Sequence, residues 1–304
     1  MRANSLDRLL ILTTLAALAL APAAWADFRL ERELAMAPGG TFTLDSDSGS
    51  IEIRGVDRSG ARIVVTAARD DVEERFTFSF EERGDGATVR VEKRGSWTRR
   101  LFSGDDDRLH FAVEVPQRAD LDLHSSGGSI AIAAVEGTVD AHTSGGSMNA
   151  SDVRGDVRLD TSGGSIRAEA IDGDLVAKSS GGAIHATGIG GDASIKTSGG
   201  SVEVFDVAGV IEAHTSGGPV RASFIAGNGS GGSLSSSGGG ITATIDPAVA
   251  LDVDAHTSGG KVTSDLPITV HGSTSRNTLR GELNGGGPTL KLRSSGGSIR
   301  LRAN

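Results

Sequence analysis

From about residue 125 to residue 225 the chain alternates apolar and polar residues, and the alternation restarts at a fixed interval. One apolar column reads Ile130, Met148, Ile166, Ile184, Val202 and Val220. Two places on stand Ile132, Ala150, Ala168, Ala186, Val204 and Ala222, and three further on Val135, Val153, Ile171, Ile189, Val207 and Ile225. A second group holds Val139, Val157, Leu175, Ala193 and Ile211, then Ala141, Leu159, Ala177, Ile195 and Ala213. Asp, Arg, Glu, Lys, His and Ser fill the places between. Gly-Gly pairs mark the interval, with leading glycines at Gly127, Gly145, Gly163, Gly181, Gly199 and Gly217, 18 residues apart each time.

Apolar residues at alternate positions predict short strands with one buried face. An 18-residue unit cannot bury that face alone, but stacked units bury it against one another, as in a solenoid. The predicted fold is all-β, a parallel β-helix or β-solenoid of 18-residue coils with a β-rich N-terminal capping section. Stacked at ~4.8 Å, about nine coils make a rod roughly 40–50 Å long. Each Gly-Gly is expected to be a corner with positive φ. A second glycine column stands at Gly137, Gly155, Gly173, Gly191, Gly209 and Gly227. Thr143, Thr161, Ser179, Thr197 and Thr215 should stack as a hydroxyl ladder at or just inside the sheet, bonded to turn backbone. The alanines keep the cross-section thin, so a bulky residue at Ala168 or Ala186 should overpack it.

The period divides the chain. Residues 1–26 precede the strands, 27–120 form a β-rich section without the period, 121–227 hold the regular coils, and 228–304 hold irregular coils and a capping strand. In the N-terminal section Phe76, Phe78 and Phe80 fall on one face, and "DSGSIEI" (47–53) reads as a worn coil. The closing "GGSIRLR" reads as the final cap, since an open strand edge invites pairing with another chain.

The first residues predict an address. Arg2 and Arg8 precede an apolar run from Leu9 to Pro22, and Ala24-Trp25-Ala26 fits a secretory cleavage site, leaving Asp27 as the new N-terminus. The run falls short of the ~20 residues of a membrane span. The mature chain is therefore expected to be exported, without a membrane span, and either periplasmic or extracellular at the cell surface. It has no cysteine, so packing and hydrogen bonds must stabilise it without disulfides. Formal charge is −9, and removing Arg2, Arg8 and Asp7 makes it −10. That balance argues against nucleic acid and anionic membranes as main partners.

At this point a resemblance becomes specific. "DSGSIEI", "VPQRADLDLHSSGGSI", the serial "TSGGxI" coils and "DAHTSGGKVTSDLPI…GPTLKLRSSGGSIRL" resemble the DUF4097 family, whose members are often labelled adhesins. The resemblance covers most of the mature chain and implies an exported β-solenoid. It brings no catalytic residues with it.

Candidate chemistry is thin. A column three places before each corner reads His124, His142, Asp160, Lys178, Lys196 and His214, with Ser235 and His256 in later coils. His124 and His142 should lie within ~5 Å on adjacent strands. The lysines in the column favour a solvated polar stripe over a metal site, which wants three or four converging ligands. The corners lack the Asp of calcium-binding repeats, and Asp105-Asp106-Asp107 is read as a solvated loop. Arg154-Gly155-Asp156 spells an integrin-type tripeptide, but its glycine belongs to the structural column. No cofactor is expected.

Trp97, Arg99, Arg100 and Phe102 gather in one long loop. Trp and Arg are enriched at binding hot spots, but the favoured reading is that Trp97 and Phe102 fold back to cover the solenoid end. Phe205 and Phe224, the aromatics of the repeats, fall outside the buried columns, where they either form a small exposed patch that marks a contact site or simply pack under a local bulge, the favoured reading. A glycosidase needs two carboxylates at a set separation, and coils without insertions offer little wall for a cleft. The reading is a non-catalytic, adhesin-like scaffold of the cell envelope that binds an envelope or extracellular macromolecule. The alternatives are a periplasmic structural or envelope-stress protein and, less favoured, a carbohydrate-active enzyme.

Overall fold

The computed structural model describes residues 28–94, 109–225, 230–270 and 275–304. Among these, strands build one 13-stranded and one 14-stranded sheet, and the single helix is the short Val72–Arg75. Each regular coil gives one strand to each sheet. Ile130–Glu136 lies in the first sheet and Val139–Thr143 in the second. Neighbouring coils pair in parallel with an offset of one period, Met148 beside Ile166 and Val157 beside Leu175. The apolar columns of both sheets point inward and share one core. Ala168 and Ala186 are fully buried there.

The corners are not where positive φ is needed. None of the glycines from Gly127 to Gly218 in the Gly-Gly pairs has a left-handed backbone. The second glycine of each pair is required for another reason. A Cβ on Gly146 would lie 2.1 Å from the carbonyl oxygen of Gly128, and one on Gly164 would lie 2.1 Å from that of Gly146. Successive corners stack backbone on backbone, leaving no room for a side chain. Positive φ occurs elsewhere in the coils, at Gly137 and Gly155 and along one column made of Ala134, Asp152, Ala170 and Asp206, with φ between 53° and 59°, and Gly188 with φ 69°. The column from Ala134 to Asp206 is skipped in the pairing, which runs from Ser151–Glu169 directly to Val153–Ile171. It is a stacked bulge that turns the next apolar residue back into the core.

Two polar ladders tie the coils together. Thr143, Thr161, Ser179, Thr197 and Thr215 are buried, and each hydroxyl donates to the carbonyl of the second corner glycine one coil earlier at 2.7–2.9 Å. Thr161 Oγ1 also accepts from Gly164 N at 3.3 Å, and Ser179 Oγ from Gly182 N at 2.9 Å. At the opposite turn, carboxylates take the amide of the residue one coil on. Asp156 accepts from Asp174 N, Asp174 from Asp192 N and Asp192 from Val210 N, at 2.7–2.9 Å.

Both ends depart from sequence order. The "DSGSIEI" segment is a coil in full register, with Ile51 beside Ile130 and Leu44 beside Leu123. Outside it lies a coil from later in the chain, Gly86–Lys93 with His110–Pro116. Antiparallel strands Phe28–Leu34, Ala61–Ala67 and Phe76–Arg83 finish that end. Phe76 is buried there, and Phe28 stacks on Phe78 at 6.1 Å. At the far end the closing strand is not the cap. Ile299–Ala303 lies between Ile241–Ile245 and Val262–Ser264. Its companion Thr289–Ser294 lies between Gly232–Ser236 and Leu251–Thr257. The end is closed instead by the antiparallel strands Thr278–Leu283 and Thr269–Val270.

Candidate interaction surfaces

Strand alternation sends every second residue outward, so the sheet faces carry whatever chemistry the stack presents. On the first sheet an open groove of about 550 Å³ crosses five successive coils. Ser129, Ser147, Ser165 and Ser201 line it together with Asn149, Arg167, His185 and Glu203. The register stacks Asn149, Arg167, His185, Glu203 and Arg221 in one outward row. Its charges are matched in place. Arg167 meets Glu169 at 2.8 Å, and Glu203 receives both Arg221 at 2.6 Å and His185 at 3.5 Å.

The second sheet carries the histidine column. His124 and His142 stack with ring centroids 5.7 Å apart, the neighbourhood expected from the period. His124 Nδ1 lies 3.4 Å from Asp122 and His142 Nδ1 4.0 Å from Asp160, while Lys178 and Lys196 follow in the same row. Among the described residues no group of three or more His, Cys, Asp or Glu side chains is placed to hold a metal ion. Further along, Asp254 receives Arg293 at 2.5 Å and Arg280 at 3.2 Å. The hydrogen bond from Arg293, then that from Arg280, hold its carboxyl below the usual carboxylate range against the opposing effect of burial.

The aromatic patch does not form. Phe224 is 0% exposed, a core residue. Its strand, Val220–Phe224, lacks the left-handed bulge residue, so strict alternation carries Phe224 inward beside Ile245. Counting from the period put it one place out. Phe205 is half-buried on the outer face, its ring 5.9 Å from that of His185. The tripeptide Arg154-Gly155-Asp156 is engaged within the stack, Arg154 with Glu136 and Asp156 with the Asp174 amide. Trp97, Arg99, Arg100 and Phe102, the acidic run 105–107, Gly227, and the cleavage pair Ala26 and Asp27 lie outside the described residues. The groove itself was missed in the sequence. Its only signal there is the serine after four of the five corners, at Ser129, Ser147, Ser165 and Ser201, with Ala183 in the remaining place.

Comparison places this architecture. The family model described as Toastrack DUF4097 matches residues 40–302, and the chain belongs to that family. Similar solved structures include a "putative lipid binding protein" from Parabacteroides distasonis, 13% identical over 90% of this chain and 96% of that one, TM-score 0.42. A "putative adhesin" from the same organism is 10% identical over 90% and 96%, TM-score 0.40. Another from Bacteroides fragilis is 11% identical over 92% and 99%, TM-score 0.38. No curated protein matches the chain in sequence. Among the described residues no helix is long and apolar enough to cross a membrane.

Proposed function

We propose that this Toastrack-family chain is an exported, non-catalytic scaffold of the cell envelope, adhesin-like in that a sheet face meets its partner. The observation that carries the reading is the open groove across five coils, set on strands tied together by buried hydroxyl bonds. A rigid, repeating row of hydroxyl, amide and paired charged groups suits a long partner laid along the rod. The same openness supports a binding role over a catalytic one, since catalysis gains most where a closed site excludes water. Export rests on the basic, apolar and small-residue pattern of residues 1–26.

The test joins location to binding. Protease shaving of intact cells, followed by immunoblotting, should remove the chain if it lies outside. Survival until lysis would favour the periplasmic structural alternative. In parallel, the purified chain is sedimented with isolated cell-wall sacculi and with intact cells. Ser147→Arg and Ser165→Arg place bulk and charge in the groove at exposed positions. The double variant should lose co-sedimentation while keeping its urea midpoint. Equal co-sedimentation of variant and wild type would sink the groove as the contact surface.

A further inference from the structure

The C-terminal coil fills a slot between two coils that precede it in sequence. Thr289–Ser294 pairs on one side with Gly232–Ser236 and on the other with Leu251–Thr257. Ile299–Ala303 is held likewise between Ile241–Ile245 and Val262–Ser264. The buried hydroxyl ladder passes through it. Ser294 donates to Gly239 O at 3.0 Å, and Thr257 donates to Gly297 O at 2.6 Å. Leu290, Leu292, Ile299 and Leu301 complete the core. Without this coil, each sheet would present two open parallel edges facing a gap one strand wide.

The coil is joined to the preceding hairpin through Asn284-Gly285-Gly286-Gly287-Pro288. Three successive residues of this link are left-handed, with φ of 52° at Asn284, 87° at Gly285 and 82° at Gly286. The sharp reversal is pinned by the Asn284 amide, which donates to Pro247 O and Val249 O. A glycine-rich link can also run extended without steric cost. During folding, the coil ending at Ile245 must wait for a partner far along the chain, so its edges stay open longer than those of the local stack.

We propose that the C-terminal coil, residues 289–303, is exchangeable between two copies of this chain: the coil of one fills the slot of the other through an extended 284–288 link. Every pair, ladder bond and core contact of the slot is reproduced by the second copy, because the inserted segment is identical. Only the link differs, which is the condition for domain swapping. The exchange belongs to folding. Once the stack is closed, the coil is held by two strands in each sheet, so folded chains do not trade it. Asn284 is the residue that favours the closed, one-chain form.

The test uses the absence of native cysteine. Thr244 and Arg302 are register partners on the outer face of the first sheet. Full-length Thr244→Cys and Arg302→Cys chains are unfolded separately, mixed, refolded together and oxidised. Exchange gives a disulfide-linked heterodimer whose linked peptide joins positions 244 and 302, in a yield that grows with refolding concentration. Mixing the two chains after folding removes that product. Adding Asn284→Ala, or deleting Gly286 and Gly287, raises its share. The double variant Thr244→Cys/Arg302→Cys must close its disulfide within one chain at low concentration. Internal closure without any heterodimer after co-refolding would overturn the proposal. So would failure of the internal disulfide, because it would deny the pairing that defines the slot.

Discussion

Replacing Thr161 by valine tests what holds the stack together. The side chain is 1% exposed and sits in an apolar interior, so burial alone predicts that valine is neutral or stabilising. The hydrogen bonds predict the opposite sign. Thr161 Oγ1 donates to Gly146 O at 2.9 Å and accepts from Gly164 N at 3.3 Å, and valine removes both while keeping the shape. A hydrogen bond contributes about 1 kcal/mol net, and a buried group left without its partner costs roughly 1–3 kcal/mol. Both glycines are only half-buried, so water recovers part of that loss. A net destabilisation of about 2 kcal/mol follows. With an m-value of about 3 kcal/mol/M for a chain of this size, the urea midpoint falls by roughly 0.7 M. Circular dichroism across a urea series measures the shift. Hydrogen exchange gives a local check, since the Gly164 amide loses its acceptor and should exchange faster than the Gly146 amide. A midpoint equal to or above wild type, with unchanged Gly164 exchange, would refute the idea that the ladder stabilises the stack.

Corner glycines should respond unequally. A Cβ on Gly145 meets its nearest atom at an ordinary 3.6 Å, whereas one on Gly146 meets Gly128 O at 2.1 Å. Gly145→Ala should therefore leave the thermal midpoint nearly unchanged, and Gly146→Ala should lower it clearly. Ala168→Leu forces a large side chain into a position that is 0% exposed, and about 1–3 kcal/mol of overpacking should appear in urea unfolding. Asp254 gives a pH dependence. Its folded pKa is depressed by Arg293 and Arg280, so the unfolded chain takes up the proton more readily. Its stabilisation is fully present above the ordinary carboxylate value of 3.8 and fades as pH falls toward the folded pKa. Asp254→Asn should remove that part of the acid sensitivity, measured as the difference between wild-type and variant midpoints at neutral and at acid pH.

How much of this was legible in the sequence differs between the repeats and the ends. The period of 18 residues, the inward columns, the parallel stacking and the hydroxyl row from Thr143 to Thr215 could all be read directly. Each depends on side-chain alternation and on a unit too short to bury its own face, and both are local properties written once per coil. The His124–His142 contact follows from the same register.

The tertiary structure decided the rest. It showed that the second corner glycine is needed because backbone stacks on backbone, a contact between residues one period apart that no single coil displays. It placed the left-handed bulge at Ala134, Asp152, Ala170, Gly188 and Asp206, a column whose residue types carry no shared signal, and left it out of Val220–Phe224, where unbroken alternation sends Phe224 into the core. It also set the order of the end coils, with 41–56 and 289–303 each inserted between strands from elsewhere in the chain. Alternation states which face of a strand is buried but not which edge it will meet. That choice is made between open edges far apart in sequence, after the chain has turned back, and only the folded molecule holds the answer.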